Sequence, residues 1–252
     1  MDIAGARILV TGGARGLGRT FALDLASAGA AVGACDTDAE GLAALSSDAV
    51  QTGYSIWTQE ADVTAEASVE QLFADFVAHA GGIDAVVNNA GLNRDGLLIR
   101  KSGDSLEKFP LAKWQAVIDV DLTGVFLCAR EAAYHMVGQQ TGGVIVSISS
   151  LSHKGNIGQT NYAAAKAGVV AMTRTWAIEL SRYGIRSVAI SPGLTATEMA
   201  LAMPEEARKR LTDAIPLRRM AEPQEISHAV RFALENDFVN GRVIDVDGGL
   251  RL

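Results

Sequence analysis

Seven short apolar runs separated by segments of helical spacing constrain the fold of this chain more than any other feature. The runs lie at 6–10, 31–35, 54–58, 85–87, 144–148, 186–190 and 243–246. Helical patterns fill 17–28, 69–79, 114–136 and 162–183. Strands that are apolar almost throughout must be covered on both faces, so the alternation predicts an α/β fold with a parallel sheet between helical layers. A chain of 252 residues, 48% hydrophobic and 20% charged, suits one large globular domain. With no repeat or linker in view, residues 1–252 are expected to form a single domain.

The first strand runs straight into Thr11-Gly12-Gly13-Ala14-Arg15-Gly16-Leu17-Gly18, which opens the first helix near Gly16. Glycines let a backbone approach a pyrophosphate, and a helix N-terminus offers N–H donors and a positive dipole end. Asp36 ends the second strand. A carboxylate there accepts from adenosine ribose hydroxyls and repels a 2′-phosphate, so NAD(H) is favoured over NADP(H). Arg15 argues mildly the other way, since a guanidinium in this turn can meet that phosphate. Asp62-Val63 follows the third strand, where the acid either meets an adenine amino group or caps the next helix. Asn88-Asn89-Ala90-Gly91 ends the fourth, and its small and amide residues let the chain pass close to a cofactor.

Tyr162 and Lys166 stand four residues apart, on one face of a helix. A bare phenol is a poor acid–base group at neutral pH, and a neighbouring cation favours its phenolate. The pair Ser149-Ser150 lies shortly before, at the end of the fifth strand.

The net charge of −7 and the lack of a basic run exclude nucleic acid and anionic membranes as expected partners. No apolar run approaches the roughly 20 residues of a membrane span. Apolar residues begin almost at once, leaving no room for a signal peptide. Cys35 and Cys128 sit in apolar segments without metal-ligand spacing, so a reduced, cytoplasmic protein without a metal is expected.

Taken in order, the glycine turn, Asp62, Asn88–Gly91, Ser150, Tyr162 with Lys166, Pro192-Gly193 and Val246-Asp247-Gly248-Gly249 resemble the short-chain dehydrogenase/reductase family over almost the whole chain. Gly158-Gln159-Thr160-Asn161-Tyr162 resembles its 3-oxoacyl-(acyl-carrier-protein) reductases and bacterial polyol and ketone reductases. The resemblance implies a Rossmann-type doubly wound sheet of seven strands. It implies hydride transfer between nicotinamide and a small carbonyl or secondary-alcohol substrate. Tyr162 would be the general acid/base, and Lys166 would hold the nicotinamide ribose and favour the phenolate. A seryl hydroxyl would bind the substrate oxygen. Gly12, Arg15, Gly16, Leu17, Gly18, Asp36, Asp62, Val63, Asn89, Ala90 and Gly91 would line the cofactor cleft. After Pro192 and Gly193, Thr195 and Thr197 would hold the carboxamide and a nearby phosphate.

Residues 195–216 would form a variable substrate flap carrying Met199, Leu201, Met203, Leu211 and Ile215. The polar insertion at 97–110 is expected as a short hairpin near the cleft rim. Trp114 and Trp176 fall on the helices that pair subunits in the family, so a homotetramer is implied, with a dimer as the alternative. A 3-oxoacyl-thioester reductase using NADPH, or a nucleotide-binding protein impaired in catalysis, are the competing functions.

Two positions depart from the family pattern. Spacing back from Tyr162 selects Ser149, whereas position along the strand selects Ser150. A one-residue deletion in the loop 151–157 favours Ser150, because loops absorb length changes. The second departure is Asp121, where the family carries an Asn that supports a water-mediated proton path to the Lys. A carboxylate there stabilises the Lys166 cation and opposes the Tyr162 phenolate. The expected result is an alkaline-shifted profile for alcohol oxidation.

Overall fold

The computed structural model describes residues 1–251, without the side chains of Met199 and Ala207. In chain order the elements are β1 (Arg7–Thr11), α1 (Gly16–Ser27), β2 (Ala31–Asp36), α2 (Ala39–Gln51), β3 (Ile56–Glu60), α3 (Glu66–Ala80) and β4 (Ala85–Asn88). Then come β5 (Ile99–Ser102), β6 (Ser105–Lys108), α4 (Leu111–Ile118), α5 (Val125–Gln139), β7 (Gly143–Ile148) and α6 (Thr160–Glu179). The chain closes with β8 (Ile185–Pro192), α7 (Glu198–Leu201), α8 (Glu205–Ala214), α9 (Pro223–Glu235) and β9 (Arg242–Val246).

Seven strands form one sheet in the order β3-β2-β1-β4-β7-β8-β9, every pair parallel. The order reverses between β1 and β4, which opens a crevice at the C-terminal strand ends. Strand side chains alternate faces, and the core divides accordingly. Ile8 and Val10 of β1 join Phe21 and Leu25 of α1, Leu45 of α2 and Val230 of α9 on one side. Leu9 joins Phe73 and Phe76 of α3 and Met136 of α5 on the other. Each such side chain, fully buried, contributes roughly 1.5–3 kcal/mol. Gly33 of β2 is required by this packing, because a Cβ there would lie 2.6 Å from the Phe76 ring.

Local chemistry sets several helix ends. Asp38 caps α2 by accepting from Gly41 N–H at 2.9 Å. Gly81, at φ +75°, ends α3 in the left-handed region. Pro223 opens α9, where Glu225 turns back to accept from Glu222 N–H at 2.8 Å.

The pattern at 114–136 is helical throughout, but its winding changes midway. Between α4 and α5, residues Asp119–Gly124 adopt a wider π-helical turn. Gly124 packs there against Val63, 2.9 Å from where a Cβ would stand, while Asp121 turns inward and loses all solvent exposure. Such widened turns accompany functional sites. The insertion at 97–110 is a hairpin, with Ile99 facing Lys108 and Ser102 facing Ser105.

Candidate active site

At the nucleotide end, the side chain of Thr11 ties β4 to the glycine turn. Its buried Oγ1 accepts from Asn89 N–H at 3.0 Å and Ala90 N–H at 3.1 Å. The Asn89 amide donates to the carbonyls of Thr11 and Gly12, both at 3.1 Å. This close approach dictates two glycines. A Cβ on Gly12, at φ +68°, would lie 2.8 Å from Ala90 Cα, and one on Gly18 would run into the Gly12 carbonyl. Gly16, at φ +55°, instead faces open space at the start of α1. The first turn of α1 holds no acidic residue, so its unpaired N–H groups and dipole end suit a diphosphate. Leu17 packs against the core beneath.

Asp36 is fixed beside the turn. One carboxylate oxygen accepts from Ala14 N–H at 3.1 Å and the other from Asp38 N–H at 3.2 Å. Arg15 is exposed next to it. Asp62 is also exposed, and it accepts from the N–H and hydroxyl of Thr64 at 2.9 and 2.7 Å. It closes its own turn and does not cap α3, whose capping position is Ala65.

At the other end, Asn161 seats the start of α6. Its amide donates to the carbonyls of Arg94 (3.1 Å) and Lys113 (3.0 Å), and its Oδ1 accepts from Tyr162 N–H at 2.9 Å. One turn on, Lys166 is only 3% exposed. Its Nζ donates to the Ile148 carbonyl at 3.0 Å, lies 3.1 Å from Asp121 Oδ2, and stands 5.4 Å from the centre of the Tyr162 ring. Burial alone would lower the Lys166 pKa, but the charges of Asp121 and Tyr162 outweigh it and raise the group above its ordinary value. Lys166 is therefore a cation throughout the neutral range.

The two serines, just beyond the end of β7, point to different places. Ser149 is buried and donates to the Lys166 carbonyl at 3.1 Å. Ser150 is half-buried, and its Oγ accepts from Ser152 N–H at 3.2 Å. At the end of β8, Pro192 is buried and Gly193 N–H donates to the Val246 carbonyl at 2.9 Å. Thr195 is buried, and half-buried Thr197 precedes α7.

The hairpin β5–β6 is rooted on the residues just before Tyr162. Gly96 N–H donates to the Gly158 carbonyl at 2.8 Å, and the Gln159 amide reaches the Asp95 carboxylate at 3.1 Å. Several contacts of the site carry no signal in the sequence: the bridge made by the Thr11 hydroxyl, the seat made by Asn161, the Asp95–Gln159 link, and two backbone groups, Leu92 N–H and the Ile148 carbonyl. Asn161 is findable as the residue before Tyr162, though the seat it makes is not, and backbone groups leave no mark in a sequence. A groove of about 580 Å³ lined by Val77, Arg130, Tyr134, Leu180 and Tyr183 lies on the outer face of α3 and α5 and contains none of these residues.

The family model described as enoyl-(acyl carrier protein) reductase matches residues 12–251. The 3-oxoacyl-[acyl-carrier-protein] reductase FabG of Thermotoga maritima is 38% identical over 99% of both chains. The (2S)-[(R)-hydroxy(phenyl)methyl]succinyl-CoA dehydrogenase subunit BbsD of Thauera aromatica is also 38% identical, over 100% of this chain and 99% of its own. Among solved structures, a putative gluconate dehydrogenase from Agrobacterium tumefaciens superimposes with a TM-score of 0.90 at 35% identity, covering 99% of this chain and 97% of that one. The doubly wound sheet, the glycine turn and these relatives place the chain in the short-chain dehydrogenase/reductase family, as an NAD(P)-dependent oxidoreductase acting on CH–OH and C=O groups.

Proposed function

We propose that the enzyme interconverts a secondary alcohol and its ketone, with NAD(H) favoured over NADP(H), and that Ser150, Tyr162 and Lys166 carry the chemistry. The observation that carries this reading is the placement of the Lys166 ammonium 5.4 Å from the Tyr162 ring centre, at the foot of the glycine-lined crevice. When bound, nicotinamide supplies the hydride donor or acceptor. Ser150 hydrogen-bonds the substrate oxygen, and the Tyr162 hydroxyl gives or takes its proton. Lys166 supplies a fixed positive charge beside that phenol. Holding both partners in one crevice lowers the barrier by orientation.

The NAD(H) preference rests on Asp36, whose carboxylate is tethered to Ala14 N–H and so keeps its charge where a 2′-phosphate would approach. For the substrate, the FabG and BbsD relatives act on acyl-carrier and CoA thioesters by their names, which supports a 3-oxoacyl thioester as the second reading. Exposed Leu111, Phe126, Tyr134 and Ile178 on α4–α6 support subunit pairing through those helices, and with it a homotetramer. Unpaired, buried Cys35 and Cys128 accord with a reducing, cytoplasmic setting.

The test is oxidation of NADH and of NADPH across ketones, ketoses and 3-oxoacyl thioesters. Faster turnover with NADH supports the reading, and the best substrate separates ketone from thioester. Faster turnover with NADPH overturns the cofactor preference.

A further inference from the structure

Asp121 has no exposed surface, yet it carries a carboxylate into the middle of the site. Its Oδ1 accepts from Leu92 N–H at 2.8 Å. Its Oδ2 lies 3.1 Å from Lys166 Nζ, whose ammonium also donates to the Ile148 carbonyl at 3.0 Å. The two groups form a buried ion pair. In a buried setting such a pair acts at short range with little screening.

The other charged groups nearby are turned elsewhere. Asp119, on the same turn, accepts from the Gln115 amide. Arg94 donates to the Asn93 carbonyl, and Asp95 accepts from Gln159. Lys154, beyond Ser150, pairs with Asp245 at 2.7 Å. His153 senses Lys154, Asp245 and Arg174. Lys113, on α4, is exposed and offers its carbonyl to Asn161. Of these groups, only Asp121 pairs with Lys166, the cation 5.4 Å from the Tyr162 ring centre.

We propose that Asp121 is a positioning residue that sets the pH range of catalysis, by offsetting the Lys166 charge at Tyr162 and holding that side chain toward its neutral phenol. The proposal rests on Tyr162 being the acid/base. In alcohol oxidation the substrate O–H proton would pass to the Tyr162 phenolate oxygen, and a bound oxidised nicotinamide would supply the acceptor for the carbinol hydride. In reduction the phenol returns that proton to the carbonyl oxygen as the hydride arrives at carbon. Oxidation needs phenolate and reduction needs phenol. Asp121 cannot change the equilibrium between alcohol and ketone. It moves the pH at which one form of Tyr162 gives way to the other, so reduction persists to higher pH and oxidation begins later.

The test is a titration of Tyr162 by phenolate absorbance, taken as the protein minus Tyr162→Phe, in the parent and in Asp121→Asn. It needs no substrate and no turnover, so its outcome is independent of whether the proposed reaction is the right one. The expected result is a lower midpoint in Asp121→Asn than in the parent, by about one unit or more. Where substrate is available, the pH profiles of both directions should move down by the same order. Equal midpoints in parent and Asp121→Asn would overturn the proposal. Should that variant fail to fold, Asp121→Ser removes the same charge.

Discussion

Gly91 packs directly against Asp121: a Cβ on Gly91 would lie 2.9 Å from Asp121 Oδ2 and 3.5 Å from Lys166 Nζ. The glycine that ends the β4 loop is therefore part of the ion pair's wall. Gly91→Ala should displace the carboxylate or the ammonium. The expected cost is about 1–3 kcal/mol of stability, with kcat/KM down about tenfold or more. Thermal melting and steady-state rates check it. An unchanged melting temperature and rate would show that the wall can yield.

The two serines should separate cleanly. Ser150→Ala should lower kcat by about 10²-fold, the scale of one donor to a reacting oxygen. Ser149→Ala removes a buried bond to the Lys166 carbonyl and should cost about 1 kcal/mol of stability, with a far smaller effect on kcat. The reverse pattern would assign the substrate contact to Ser149.

Asp36→Ala should raise kcat/KM with NADPH relative to NADH by about tenfold, since one unit charge facing a 2′-phosphate is worth on the order of 1–2 kcal/mol near a protein surface. The same variant frees Ala14 N–H, so KM for NADH should rise as well. An unaltered NADH-to-NADPH ratio would locate the preference elsewhere.

Far from the site, Arg7 donates to Asp84 from Nε at 2.7 Å and from its backbone N–H at 2.8 Å. Burial raises the Asp84 pKa, but the bonds from Arg7 outweigh it and hold the carboxyl below its ordinary value of 3.8. A group depressed in the folded state stabilises above its unfolded pKa and loses that contribution as pH falls through the folded one. Asp84→Asn should therefore cost roughly 1–2 kcal/mol at neutral pH. The gap to the parent should close as pH drops below 3.8. Denaturant melts at several pH values measure it, and a pH-independent gap would contradict the linkage.

Much of this architecture is legible in the sequence because parallel strands buried on both faces must be apolar. That is why 144–148 marks β7 (Gly143–Ile148) to within a residue. The glycine turn is legible for a related reason, since few side chains tolerate the approach of Gly12 to Ala90. The widening between α4 and α5 is not legible. Val117 to Phe126 keeps a helical apolar rhythm, and the widening at Asp119–Gly124 is settled by contacts to Val63 and Lys166 that lie far away in sequence. Asp121 itself stands out in the sequence, but its partner Leu92 N–H does not, because a backbone donor has no letter. The serine pair shows a further limit. Spacing leaves Ser149 and Ser150 both open, and the difference emerges only when one hydroxyl is seen turned into α6.

The most direct test of the account is turnover in Tyr162→Phe beside the parent, with cofactor affinity measured in both. The account predicts a loss of about 10²–10⁴-fold in turnover, the contribution of one positioned acid/base group, with cofactor affinity nearly unchanged. Equal turnover in the two proteins would remove Tyr162 from the chemistry and contradict the reading of the site.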